Sequence, residues 1–264
     1  MNLVHGLKQT LQIAWFESCR KIQSWRIIIT LIAAAVVLFL AYSNGLGAMR
    51  SEPGEMANNF LRPFVASATL VIGISAVIMS SEDLSTEFEK NTGFVMFTKP
   101  LSRYALFAGK FLSGFIASLI VTVFYYAVTI IACINAVGYV PSRVYLAILL
   151  ALLFLLAVIG ICLLFSAVSP RSSLAMIVAF ILLVMLPIFL QNVSFDAEPW
   201  YSFGYSSGIV GDYALGNQTV FSFYEGSLHT EDFVPNTSVA TAVMSAYGIL
   251  ATAFAAVIFR HRSM

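Results

Sequence analysis

The chain carries little charge for its length, and this shortage excludes an ordinary soluble fold. Asp, Glu, Lys and Arg make up 10% of its 264 residues, against about 25% in an average soluble domain. Hydrophobic residues reach 59%, which is more apolar surface than a soluble protein of this size can bury. We therefore expect an integral membrane protein.

Several kinds of chemistry also lack the residues they need. The three cysteines and three histidines are scattered without metal-ligand spacing, so we predict no metal site and assign the cysteines to packing. The sequence has no Gly-x-x-x-x-Gly-Lys-Ser/Thr phosphate loop, no hydrolase-type serine motif and no paired catalytic carboxylates. We therefore predict no catalytic residue, no cofactor bound by this chain and no ATPase activity of its own.

Long uncharged segments are what the sequence does have. Six windows of at least 19 residues contain no Asp, Glu, Lys or Arg, and a helix needs about 20 residues to span a bilayer. Helices are expected because every backbone polar group must be satisfied inside lipid. We predict an all-α membrane protein, one domain over 1–264, with six spans near 25–43, 62–80, 107–134, 144–167, 172–190 and 238–259.

The positions of the basic residues predict the orientation. If both termini are cytoplasmic, three basic residues lie outside: Arg50, Arg62 and Arg143. The other eleven then lie inside: Lys8, Arg20, Lys21, Arg26, Lys90, Lys99, Arg103, Lys110, Arg171, Arg260 and Arg262. Because cytoplasmic loops are enriched in Lys and Arg, we predict a multi-pass protein of the plasma membrane with cytoplasmic termini. No uncharged window contains an ionisable group that could couple transport to protons or sodium.

The first 26 residues are too polar for a signal core, and residues 1–24 are predicted to form an amphipathic helix on the cytoplasmic membrane surface. The positions that recur at helical spacing are Leu3, Leu7, Leu11, Ala14, Ser18 and Ile22. A plain cytoplasmic extension of the first span is the alternative.

A short loop gathers much of the remaining charge. Residues 81–110 carry eight of the 27 acidic and basic residues, between long apolar windows. Leu84 and Phe88 share a face at i, i+4 spacing, which predicts a short amphipathic helix, and Pro100 ends any helix before it. The alternative is a solvated loop whose charges only keep it soluble.

The order of residues in this loop resembles the first cytoplasmic loop of ABC-2 type transporter permeases. The matching features are an acidic segment, a glycine, a Pro-x-Ser-Arg block and a Gly-Lys pair. They are carried here by Glu82, Asp83, Glu87, Glu89, Gly93, Lys99, Pro100, Ser102, Arg103, Gly109 and Lys110. The version with Thr98-Lys99-Pro100 is most similar to the small NosY-like permeases.

The resemblance implies a type V exporter-like permease fold and a half-transporter. Two permease copies, or two related ones, would form the pathway, and two separate ATP-binding subunits would carry ATP and Mg²⁺. Membrane lipids are further partners, and nucleic acid is not. The loop over 81–106 would couple the ATPase to the spans through Glu82, Asp83, Leu84, Glu87, Phe88, Glu89 and Gly93. Its hinge to the third span would comprise Pro100, Arg103, Gly109 and Lys110.

The outer loop over 191–237 is unusual because it holds ten aromatic residues and six acids but no Lys or Arg. A solvated linker is not so aromatic. We expect it to fold back on the outer face, with short re-entrant helices, either as a gate or as a packed cap. Three N-glycosylation triplets lie in it, at Asn192, Asn217 and Asn236.

Two other functions remain open from sequence alone. The chain could be an ATP-independent carrier, channel or scramblase, which would transport by itself in liposomes. It could also be a membrane anchor or assembly factor, which would have a stable partner but no transport.

Overall fold

The computed structural model describes residues 3–51, 56–89, 103–185, 202–211, 223–225, 229–231 and 236–261. Nearly all of them are helical. The helices are α1 (Leu3–Ile22), α2 (Trp25–Ser51), α3 (Met56–Ser80), α4 (Ser85–Glu89), α5 (Arg103–Val137), α6 (Arg143–Val168), α7 (Ser172–Phe180), α8 (Phe203–Ser207) and α9 (Thr237–His261). A turn of π-helix, Ile181–Met185, continues α7.

Five of these helices are long and apolar enough to cross a membrane: α2, α3, α5, α6 and α9. They coincide with five of the six predicted spans. The fifth predicted span, 172–190, corresponds to α7 and its π-turn, which together form a shorter apolar helix over Ser172–Met185. Its predicted last residues lie outside the described part of the chain, so the sixth span stays a prediction.

The predicted all-α class is confirmed, and the described residues add one small β-hairpin to the helices. Strands β1 (Phe223–Glu225) and β2 (His229–Glu231) pair antiparallel, with Tyr224 opposite Thr230. The hairpin lies in the predicted outer loop, where short helices were expected, and α8 is the helix described there. Strand β1 contains Phe223 and Tyr224, and aromatic residues favour strands.

Helices α2 and α3 form a hairpin, and a glycine of α2 allows the two helices to approach closely near their connection. A Cβ at Gly45 would lie 2.7 Å from the carbonyl oxygen of Phe60. Only glycine permits this approach of the two backbones, as is common where membrane helices pack. Tyr42 then meets the ring of Phe60 edge to face, with centroids 5.8 Å apart.

Helices α6 and α9 run in the same direction. A Cβ at Gly248 would lie 3.0 Å from the Cα of Ala157, and a Cβ at Gly160 would lie 2.9 Å from the carbonyl oxygen of Gly248 and beside Thr252. Residue numbers therefore rise together along the two helices, and both end at the same face of the bundle. The two small-residue faces allow close contact without large side chains between them.

The short helix α8 lies deep beside this pair. The Phe203 ring stacks on Phe154 of α6 with centroids 5.4 Å apart, and it lies 5.7 Å from the ring of Tyr247 of α9. Phe154 is eleven residues into α6, which is about 16 Å along a helix at 1.5 Å per residue. Residues Ile209 and Val210 beyond α8 are fully buried, so this part of the predicted outer loop packs inside the bundle.

Two adjacent tyrosines of α5 are buried but differ in hydrogen bonding. The Tyr125 hydroxyl donates to the carbonyl of Phe64 in α3 at 2.7 Å and lies 2.9 Å from the hydroxyl of Ser67. The Tyr126 hydroxyl is buried without a hydrogen-bond partner in the described part of the chain. Tyr125 therefore ties α5 to α3, and Tyr126 carries an unsatisfied polar atom.

Because of this difference, replacing tyrosine by phenylalanine should affect the free energy of unfolding differently at positions 125 and 126. Tyr125→Phe should lower the free energy of unfolding by about 0.6 kcal/mol, the mean for hydrogen bonds between membrane helices. Tyr126→Phe should leave it unchanged or raise it by about 1 kcal/mol, because a buried unsatisfied hydroxyl is removed. Equilibrium unfolding in mixed micelles measures both, and equal losses at the two positions would contradict this account.

Candidate functional site

Eight charged residues of the described chain gather where α1, α2, α3, α4 and α5 meet. We call this group the charge cluster. It consists of four ion pairs: Glu17–Arg20, Lys21–Asp83, Arg26–Glu82 and Glu87–Lys110. Three of the four acids, Glu82, Asp83 and Glu87, come from the turn after α3 and from α4, and their basic partners come from α1, α2 and α5. The cluster therefore fastens the predicted coupling segment to three other helices.

The Lys21–Asp83 pair joins α1 to the turn before α4. The Lys21 ammonium lies 2.5 Å from a carboxylate oxygen of Asp83, and both side chains are buried. Burial lowers the pKa of Lys21 below its ordinary 10.5, while the nearby Asp83 carboxylate opposes this shift. The carboxylate thus favours the charged form of an amine that burial disfavours.

The Glu87–Lys110 pair joins α4 to the start of α5. The Lys110 ammonium lies 2.8 Å from a Glu87 carboxylate oxygen, and 2% of the Lys110 side chain is exposed. Glycines on both sides make room for this packing. A Cβ at Gly109 would lie 2.7 Å from Cγ2 of Ile13 in α1, and one at Gly114 would lie 3.2 Å from Cβ of Ser80 in α3.

Hydrogen bonds hold both ends of α4 against a second pair of helices. The Ser166 hydroxyl, near the end of α6, accepts the backbone N–H groups of Leu84 and Ser85 at 2.9 and 3.0 Å. At the other end, a Glu89 carboxylate oxygen accepts the backbone N–H and the hydroxyl of Ser172 at 2.9 and 2.5 Å. Helix α4 therefore bridges the turn that connects α6 to α7.

Helix α1 turns its polar face inward. Glu17, Ser18 and Lys21 are buried with Ala14 against the neighbouring helices. The opposite face is exposed and apolar, with Leu7, Leu11, Trp15, Phe16 and Ile22. A helix at a membrane surface can place such a face among lipid chains. Helix α1 covers most of the predicted amphipathic helix over 1–24, and Ala14 and Ser18 of the predicted stripe lie on its buried side. Its place at the membrane surface stays a prediction.

The structure changes the interpretation of several predicted site residues. Leu84 was expected on an exposed helix face, and this is wrong, because its side chain is fully buried in the turn before α4. The solvated-loop alternative is also wrong for Asp83 and Glu87, which are buried and paired. Only Glu89 of the predicted coupling acids is exposed. The side chain of Phe88, and all of Gly93 and Pro100, lie outside the described residues.

The described residues of the predicted hinge all lie in the first turns of α5. Gly109 and Lys110 lie inside α5, where they contact α1 and α4. Arg103 begins α5 and donates to the carbonyl of Arg260 at 2.8 Å, at the end of α9. The Arg260 guanidinium in turn donates to the Tyr104 hydroxyl at 3.0 Å and lies over its ring. The end of α9 is thereby attached to the start of α5, and a hinge role for these residues stays a prediction.

Sequence reasoning missed Ser166, Ser172, Glu17 and the basic partners Lys21 and Arg26 as members of this site. Buried acids in a loop require cationic partners, but the sequence does not indicate which of fourteen Lys and Arg residues supply them. Among the described residues no group of three or more His, Cys, Asp or Glu could hold a metal ion. The cluster has a structural role, because its ion pairs hold helices together.

The family comparison agrees with this architecture. Residues 11–202 match the model of the family described as ABC-2 family transporter protein. The chain belongs to the ABC-2 transporter family. ABC-2 permeases are the membrane component of their transporters, not the ATPase, and they associate with ATP-binding subunits. The match runs from the middle of α1 to the residue before α8 and so includes the whole charge cluster. No curated protein matches the chain.

The burial of Lys110 predicts a large cost for removing it from this ABC-2 permease. Lys110→Met leaves Glu87 buried without its cation, which should lower the free energy of unfolding by about 3 to 5 kcal/mol. Arg26→Met is the matched control, because the Arg26 side chain is 52% exposed and such pairs contribute about 1 kcal/mol or less. Denaturant unfolding in detergent measures both changes.

A double replacement separates lost charge pairing from lost packing. Adding Glu87→Met to Lys110→Met should recover most of the stability, because both ionic groups are then replaced by apolar ones. If the double variant is no more stable than Lys110→Met, unpaired charge is not the cause of the loss.

Gly109 predicts a steric effect on the contact between α1 and α5. Gly109→Ala places a methyl group 2.7 to 2.8 Å from Ile13, so α1 should shift away and become more accessible to protease. Gly47→Ala is the control, since a Cβ there meets no atom within 4 Å. Limited proteolysis of α1 in detergent compares the two, and equal cleavage would contradict the packing role of Gly109.

Proposed function

We propose that this chain is the permease subunit of an ATP-driven exporter. Two copies, or one copy and a related chain, form the pathway across the membrane. Two separate ATP-binding subunits dock at the face of the charge cluster and hold ATP and Mg²⁺. Membership in the ABC-2 family supports the permease role, and the lack of a phosphate loop in the sequence supports an energy source on a partner.

The observation that carries the proposal is how firmly α4 is connected. Ion pairs fasten the α4 segment to α1, α2 and α5, and hydrogen bonds join its two ends to α6 and α7. A displacement applied to α4 therefore acts on five helices. An element that receives force from a partner ATPase needs this kind of attachment, because a loosely held loop would bend instead of moving the spans.

This arrangement divides the predicted coupling acids into two groups. Asp83 and Glu87 are buried inside the permease, and they position α4 through Lys21 and Lys110. Contact with the ATPase then falls to the residues between Glu89 and Arg103, because the Glu89 carboxylate is already bound to Ser172 of α7. Reversing the charge of Asp83 or Glu87 would consequently test the folding of the segment, not its docking surface.

Two features support six crossings with both termini in the cytoplasm. Helices α6 and α9 run in parallel and end at the same face, so the chain between them must return to the opposite face. The apolar helix Ser172–Met185 is suited to that return. The charge-cluster face also carries eleven of the fourteen basic residues by the predicted arrangement, which is typical of a cytoplasmic face.

The contacts of α8 support a closing role for the outer loop. Phe203 lies between Phe154 and Tyr247, well inside the bundle. A segment that enters from the outer side and packs between spans blocks that region until it moves. We assign this segment to closing the exit of the pathway.

Purification of the native complex in gentle detergent tests the function. We expect an ATP-binding subunit to copurify at one copy per permease chain, and the complex to hydrolyse ATP. The expected ratio distinguishes a half-transporter from a chain that works alone. Transport by the isolated chain in liposomes, with no nucleotide-binding partner in the native complex, would overturn the proposal.

A further inference from the structure

The contact between Glu89 and Ser172 does more than attach a loop, because it completes the start of α7. The first N–H groups of a helix have no partner within the helix. Arg171 occupies the N-cap position of α7 in an extended conformation and provides no side-chain hydrogen bond. The Glu89 carboxylate of α4 accepts the N–H of Ser172 in its place, at 2.9 Å. Its negative charge also suits the positive end of the helix dipole.

At the start of α4 the roles are exchanged, and α4 donates the hydrogen bonds instead of accepting them. Ser166, close to the end of α6, accepts the N–H groups that begin α4. The residues that bind α4 are thus separated by one short connection, Ser169–Arg171, between α6 and α7. One five-residue helix holds both sides of that connection.

Helix α7 differs from its neighbours at its far end. After Phe180 it continues as a π-turn, Ile181–Met185. Such turns have an additional residue in the helical repeat and are frequent at functional sites. A helix that is held at one end and irregular at the other can shift along its axis by rearranging the irregular turn.

We propose that Glu89 is a positioning residue that couples movement of α4 to α7. Its carboxylate keeps the start of α7 attached to α4 when α4 is displaced, and the π-turn at Ile181–Met185 accommodates the shift. The inference rests on the proposed function, since it requires an ATPase that displaces α4. It adds α7 as the helix that responds and Glu89 as the group that connects them.

Hydrogen exchange in the complex of this chain with its ATP-binding subunits tests the coupling. Amide exchange of the segment 172–185 is compared between the nucleotide-free complex and the complex trapped with ATP and vanadate. We expect a difference between the two states in the parent protein. Glu89→Ala should abolish that difference, while the ATP-binding subunit still copurifies.

The chain offers a matched control at the other end of the bundle. The Asn236 side chain accepts the N–H of Ser238 at 3.0 Å and so caps α9, without contact to α4. Asn236→Ala should cost similar thermal stability but leave the nucleotide-dependent difference in 172–185 intact. Ser172→Ala removes only the hydroxyl bond and should reduce the difference without abolishing it.

The outcomes separate the two proposals. If the difference in 172–185 persists unchanged in Glu89→Ala, or is absent from the parent complex, the coupling through Glu89 is wrong even though the transporter assignment stands. If Asn236→Ala abolishes the difference as well, the effect is one of general stability and the proposal also fails. If no ATP-binding subunit accompanies the chain, the proposed function itself fails.

Discussion

Removing a charged side chain from water costs several kcal/mol unless a partner of opposite charge is in place. This constraint determines how the segment around α4 is built. Asp83 and Glu87 are buried, so each requires a cation, and the cations come from α1 and α5. Two helices that are far apart in sequence are thereby held on one short segment. The glycines at 109 and 114 follow from the same requirement, since the pairs form only where α1 and α3 approach α5 closely.

The membrane part of the bundle uses weaker and more numerous contacts. Lipid gives no hydrophobic force between helices, so close packing of small residues and occasional hydrogen bonds must suffice. Gly160 and Gly248 serve this purpose between α6 and α9, and the Tyr125 hydroxyl serves it between α5 and α3. The chain thus combines a firmly paired polar end with spans that are joined by packing. That division suits a protein in which force enters at one face and spans change position.

Sequence alone was sufficient for five of the six predicted spans and insufficient for the contacts between them. Uncharged windows located α2, α3, α5, α6 and α9 because the bilayer imposes a length and a composition on each span. The charge-rich loop was also correctly recognised as distinctive, and the family match confirms the ABC-2 resemblance. The burial of Leu84, Asp83 and Glu87 was not predictable, because their partners lie in other helices and no local pattern specifies them. The role of Ser166 was also not predictable, because a single serine in an apolar helix does not indicate that α4 will pack beside it.

The inward-facing polar side of α1 also constrains how the protein assembles. Lys21 leaves the ribosome 62 residues before Asp83, and Lys110 emerges later still. Until then the exposed apolar face of Leu11, Trp15 and Phe16 can rest in the lipid surface, while Glu17 and Lys21 remain in water. Only the arrival of α3 to α5 allows α1 to bury its charges. Helix α1 therefore reaches its final contacts only after α3, α4 and α5 have been made.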